Sequence, residues 1–119
     1  MVDYDERGTV VMEIDIANNI KAVELLKVEI LQNLTDLFGD ISAEADSETS
    51  QRIAADGARL ICQTYLLCSR LGVDFEQVDD AMCTMLRSGI EENHLLERRF
   101  GDLKALLACL EEKRRKYEQ

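Results

Sequence analysis

The protein has 119 residues, 46% of them hydrophobic, with no proline and a formal net charge of −10. That length fits one domain, and that apolar content excludes disorder for most of the chain. The charge argues against nucleic-acid phosphates and anionic membranes as partners, and the only concentrated basic run, Lys113 to Lys116, is short.

Residues 1–14 read as a polar leader, with alternating Val10, Met12 and Ile14 as a candidate short strand. Residues 15–119 read as a single helical domain. Its first helix is expected to open at Asp15, a suitable N-cap. Apolar residues then recur in steps of three or four: Ile16, Ile20, Val23, Leu26, Ile30, Leu34, Leu37 and Ile41. Leu25, Val28, Leu31 and Phe38 widen the stripe so far that this helix needs cover on more than one side. A second copy of the chain is a candidate for that cover. The small and acidic stretch Gly39 to Ser50 reads as a loop that turns the chain back.

A second helix is expected from Glu48 or Ser50 to Leu71, with Gly72 ending it and Gly57 allowing a close approach by another helix. Asp74-x-x-Gln77 resembles a capping box for a third helix, whose inner face is Val78, Ala81, Met82, Met85 and Leu86. Gly89 either ends this helix or is tolerated inside it. Glu91 to Arg99 is expected to be helical, which would put Glu91, His94 and Glu97 on one face. Such a trio is either a weak transition-metal site, or a surface ion pair or a capping contact of His94 with Asp102, and surface pairs are far more frequent. Asp102 is expected to cap a last helix striped by Leu103, Leu106, Leu107 and Leu110. Its charged end pairs Glu111 with Arg115 and Glu112 with Lys116, four residues apart. The sum is an all-α, antiparallel bundle of four to five helices.

The four cysteines form no C-x-x-C pair, and the lone His94 gives no zinc-finger spacing. Three of them fall on apolar helical faces, and reduced core cysteines are the expectation. With no signal peptide and no apolar run of membrane-spanning length, the chain is expected to be soluble and cytoplasmic.

The chain resembles the MazG-like family of short bacterial proteins, distantly related to the all-α nucleoside triphosphate pyrophosphatases. The resemblance covers roughly residues 15–110. It is carried by Arg52-Ile53-Ala54-Ala55-Asp56, Leu71-Gly72-Val73-Asp74, the block from Glu91 to Glu97, and Phe100-Gly101-Asp102-Leu103. It implies helical dimers or larger oligomers and carboxylates from two adjacent helices holding Mg²⁺, with Mn²⁺ as a substitute. It also implies a metal-activated water that attacks a nucleoside triphosphate.

The pattern implied is E-E-x-x-E on one helix and E-x-x-D on the next, a spacing that puts the carboxylates on one helical face. Here it falls at Val28-Glu29-x-x-Gln32 and Ile53-x-x-Asp56. The resemblance therefore nominates Glu29 and Asp56 as metal ligands, with Gln32 and Asp36 in support. For Asp56 the alternative is a salt bridge to Arg52 or Arg59. Two functions stay open: a Mg²⁺-dependent nucleotide pyrophosphatase with a reduced metal site, or an inactive homo-oligomeric regulatory or scaffold protein with the same fold.

Overall fold

A computed structural model of the protein describes the backbone of residues 9–118 and the side chains of 15–117. Five helices run in the order α1 (Thr9–Ser42), α2 (Thr49–Arg70), α3 (Phe75–Glu91), α4 (Leu95–Phe100) and α5 (Asp102–Glu118). There is no strand among the described residues. The all-α expectation is met, and the candidate strand at Val10 to Ile14 is instead the opening of α1. Three alternating apolar residues without a partner strand cannot outweigh the hydrogen bonds of a continuing helix. Residues 1–8 of the leader lie outside the described residues. The chain divides into two compact units, Met1–Asp74 and Phe75–Gln119.

The first unit is a helical hairpin of α1 and α2. Half-buried positions on α1 recur at Asn19, Val23, Leu26, Ile30, Asn33, Leu37 and Asp40. On α2 they recur at Arg52, Leu60, Gln63 and Leu67, with Asp56 fully buried among them. Steps of three and four place each set on one face, and the two faces meet.

Polar contacts fix the pairing at three heights. The Asn19 side chain donates to the Arg70 carbonyl at 3.0 Å. Asn33 donates to Gln63, which donates to the Glu29 carboxylate at 3.2 Å. Arg52 reaches Asp40 at 3.6 Å. As one partner number rises the other falls, so the helices are antiparallel.

The turn between them is shorter than expected, because α1 continues through Gly39 to Ser42. Asp46 organises what remains. Its carboxylate accepts the Glu48 backbone N–H at 2.8 Å, and its own N–H donates to the Thr49 hydroxyl at 2.8 Å. The Glu48 N–H, then Arg52 at 3.3 Å and the Thr49 hydroxyl donating to the carboxylate at 3.3 Å, hold the Asp46 pKa below its ordinary value. Past α2, Gly72 takes a φ of 89°, which suits a glycine closing a helix.

The second unit pairs α3 with α5 and packs α4 against α5. Gly89 lies inside α3, and a Cβ built on it would sit 2.6 Å from Leu103 Cδ1. The glycine is what lets Leu103 approach. Cys83 is the one apolar side chain that is fully buried among the described residues. Ion pairs cross the unit from Arg87 to Glu111 and from Arg114 to Asp80, each at 2.9 Å. Glu111 thus pairs across helices and not with Arg115, which instead meets Glu112 three residues before it at 3.5 Å.

The continuous helix expected from Glu91 to Arg99 is broken at Glu92 to His94, where Asn93 has a φ of 58°. His94 Nδ1 caps α4 by accepting the Leu96 N–H at 3.1 Å. Glu97 accepts the Lys104 backbone N–H at 3.0 Å in the first turn of α5. Glu91 ends α3, so the three residues lie on two helices and a turn. His94 and Glu97 work as helix caps.

Candidate functional site

One side of the hairpin, near its turn, opens into a cleft of about 690 Å³. From α1 it takes Thr35, Asp36, Gly39 and Asp40. From Glu48 and α2 it takes Gln51, Arg52, Ala55, Asp56 and Arg59. Antiparallel pairing explains the set. Asp36 and Asp40 are one turn apart on α1, and Arg52 and Asp56 are one turn apart on α2. The hairpin lays these turns side by side.

Asp56 is the centre of the site. It is 4% exposed although it is ionisable. Its Oδ1 accepts from Arg59 Nη1 at 3.0 Å, while its Oδ2 is buried without a hydrogen-bond partner. A buried carboxylate oxygen with no donor is costly and calls for a proton or a cation. Asp40 stands close enough to share a proton with it. The neighbouring Asp56 carboxylate, an acceptor that favours a proton on Asp40, is the main cause of a raised Asp40 pKa, followed by burial and by the negative charge of Asp56. Asp36 adds a smaller push in the same direction, and the Arg52 guanidinium opposes both. Arg52 itself is held by Asp40 at 3.6 Å, Asp46 at 3.3 Å and Glu48 at 3.9 Å.

Of the residues nominated from the sequence, Asp56 and Asp36 line the cleft, and Glu29 and Gln32 are not among its lining residues. Glu29 sits opposite Gln63, seven residues beyond Asp56 on α2 and so about 10 Å away along the axis. Gln32 is exposed. Asp40, which the sequence places in the loop from Gly39 to Ser50, joins the site because α1 runs past Gly39. Arg59 appears as the salt-bridge partner weighed for Asp56, and Arg52 joins through Asp40. Among the described residues, no three of His, Cys, Asp and Glu converge closely enough to hold a metal ion by themselves.

Carboxylates from two adjacent helices facing one polar cleft define the class: an all-α protein with an acid-lined cleft between paired helices. More specifically, the chain belongs to the MazG-like family, whose model matches residues 16–103 and so takes in the whole cleft. No curated protein matches the chain, and no solved structure does. No helix among the described residues is long and apolar enough to cross a membrane.

Proposed function

We propose that the cleft binds a nucleoside triphosphate together with Mg²⁺, and that the protein is a nucleotide pyrophosphohydrolase with a reduced carboxylate set. The observation that carries this reading is Oδ2 of Asp56, a buried anionic oxygen that lacks a donor and lies beside a second acidic group. Either a proton on Asp40 or a cation between the two relieves that arrangement. Mg²⁺ binds readily through one or two carboxylates when substrate phosphates and waters complete its shell. The donor set fits that mode, with Asp40 and Asp56 as hard oxygen ligands and Asp36 exposed at the rim. Asp40 and Asp56 would then hold the cation only together with substrate phosphates, since among the described residues no three-residue cluster holds one alone. Once bound, it would neutralise phosphate charge and activate a water.

The chain's own cations have a matching role. Arg59 is half-exposed and offers a planar donor fork to phosphate oxygens. Arg52 holds Asp40 in place from the other side of the cleft. Family membership supports the nucleotide as the substrate class. The test is pyrophosphate release from a panel of nucleoside triphosphates with Mg²⁺ or Mn²⁺. Release is expected to vanish in Asp56→Ala and Asp40→Ala and to persist in Glu29→Ala. Release that is absent, or that survives both cleft variants, overturns the assignment.

One observation favours a second reading, a non-catalytic homo-oligomer. Val28, Gln32 and Ile53 stand where the resemblance places glutamates, so a cluster of several metals is hard to build from the carboxylates that remain. No pyrophosphate release from any nucleotide would make this the better account.

A further inference from the structure

The two arginines of the cleft are held in different ways. Arg52 has three acidic partners at the end of α1 and in the turn: Asp40 at 3.6 Å, Asp46 at 3.3 Å and Glu48 at 3.9 Å. A guanidinium tied at three points stays where it is. Arg59 has one partner among the described residues, Asp56, three residues before it on α2. Its side chain is 54% exposed, against 36% for Arg52. Letting go of Asp56 therefore costs Arg59 little, because water replaces a single charged contact at the rim. The consequences for Asp56 are larger. Its carboxylate is buried, and Arg59 Nη1 lies 3.0 Å from one of its oxygens while the other has no partner. Any cation that binds the second oxygen meets the guanidinium on the first, and like charges at that range repel strongly.

We infer that Arg59 exchanges partners: it neutralises Asp56 while the cleft is empty, and it moves onto the phosphates when a metal–triphosphate complex enters. This rests on the nucleotide reading given above and adds an order of binding to it. While Arg59 contacts Asp56, it opposes a divalent cation that arrives alone. Acidic side chains in the cleft outnumber arginines, with Asp36, Asp40, Glu48 and Asp56 against Arg52 and Arg59, so a bare triphosphate is opposed as well. The complex of the two escapes both penalties. Its phosphate oxygens offer Arg59 a better partner than one buried carboxylate oxygen, because the guanidinium can pair two parallel N–H groups with them. Arg59 then leaves Asp56 free to ligate through either oxygen. Metal and triphosphate are taken up as a unit, and Arg59 is the group that couples them. Arg52 stays on its three acids and keeps Asp40 in place throughout.

The test measures bare metal and complex separately on the full chain. Electron paramagnetic resonance of free Mn²⁺ gives the affinity for the ion alone. Isothermal titration with preformed Mn²⁺ complexes of the α,β-methylene analogues of ATP, GTP, CTP and UTP, which cannot release pyrophosphate, gives the affinity for the complex. The wild type should bind a complex more tightly than the bare ion. Arg59→Gln removes the charge but keeps an N–H donor for Asp56. It should bind bare Mn²⁺ about tenfold more tightly and the complex about tenfold more weakly. A merely structural loss would weaken both. Arg59→Lys keeps the charge and loses the planar fork, so it should bind bare Mn²⁺ as the wild type does and the complex more weakly. Affinities that shift in the same direction in Arg59→Gln, or either one left unchanged, overturn the inference while leaving the nucleotide reading in place. So does a wild type that binds bare Mn²⁺ as tightly as the complex. If Arg59→Gln loses the wild-type circular dichroism, Arg59→Lys decides, and a complex affinity equal to the wild type's overturns the inference. A wild type that binds neither the ion nor any complex overturns the nucleotide reading itself, and this inference with it.

Discussion

Replacing Asp56 by asparagine should make the protein more stable, not less. In the wild type, Oδ2 of Asp56 is a buried acceptor with no donor, beside the acidic Asp40. Leaving such a group unsatisfied costs about 1–3 kcal/mol. The asparagine keeps the volume and provides an N–H₂ that donates to Asp40. It gives up the charge on the Arg59 bond, but Arg59 is half-exposed and such a pair contributes at most about 1 kcal/mol. The net gain at pH 7 is therefore about 1 kcal/mol, or roughly 4 °C in Tm for a chain of this size.

The gain should also depend on pH. The folded-state pKa of Asp40 lies above its unfolded value of 3.8. Its contribution is therefore complete below that value and is lost as pH rises through the folded pKa. At low pH the protonated Asp40 already supplies the missing donor, so the advantage of Asp56→Asn should shrink towards pH 4 and be largest near pH 7. Thermal melts by circular dichroism across that range, at one fixed protein concentration, measure it. A variant that melts below the wild type at pH 7, or a gap of equal size at every pH, would refute the account of the site as two acids short of a proton or cation. A stabilised variant that has lost pyrophosphate release would show that the strain is kept for a ligand.

The other predictions concern the scaffold. Asp46→Ala should lower Tm at neutral pH and lose its effect as pH falls below the ordinary carboxylate range, because the folded Asp46 has a depressed pKa and stabilises only when ionised; melts at pH 3 and pH 7 check the sign. Gly89→Val should destabilise the second unit by about 1–3 kcal/mol through overpacking against Leu103, well beyond any gain in helix propensity, as read from urea unfolding midpoints. His94→Ala should cost about 1 kcal/mol by removing the cap on α4, and the same measurement detects it.

The helices were legible because their apolar steps are regular, and Gly72 and Gly101 mark two of their ends with the left-handed backbone that such closures need. The break at Glu92 to His94 was hidden because no glycine or proline marks it; Asn93 takes the left-handed conformation in their place. In the cleft, Asp56 stands out in the sequence as an acid between Ile53 and Leu60, whereas Asp40 follows Gly39 in a stretch whose composition is that of a turn. Hairpin arithmetic would have found it. Folding the chain about residues 45 and 46 sets Asp40 against Gln51 and Arg52, Asp36 against Ala55 and Asp56, and Glu29 against Cys62 and Gln63. The motif spacing that pointed to Glu29 describes one helix at a time, whereas the site depends on how two helices are aligned. The orphaned oxygen of Asp56 was beyond sequence reading, since burial and partner geometry follow only from packing.

The three polar contacts along the seam of the hairpin have a mechanical consequence. A purely apolar seam resists separation but not slippage, because leucine on isoleucine costs little more after a shift of one turn than before it. A slide of about 5.4 Å would unpair Asn19 from Arg70, Asn33 from Gln63 and Arg52 from Asp40 all at once. The contacts therefore act as detents spaced along a rail. Replacing all of them with leucine would give a hairpin that holds together at least as firmly, yet no longer keeps Asp40 beside Asp56.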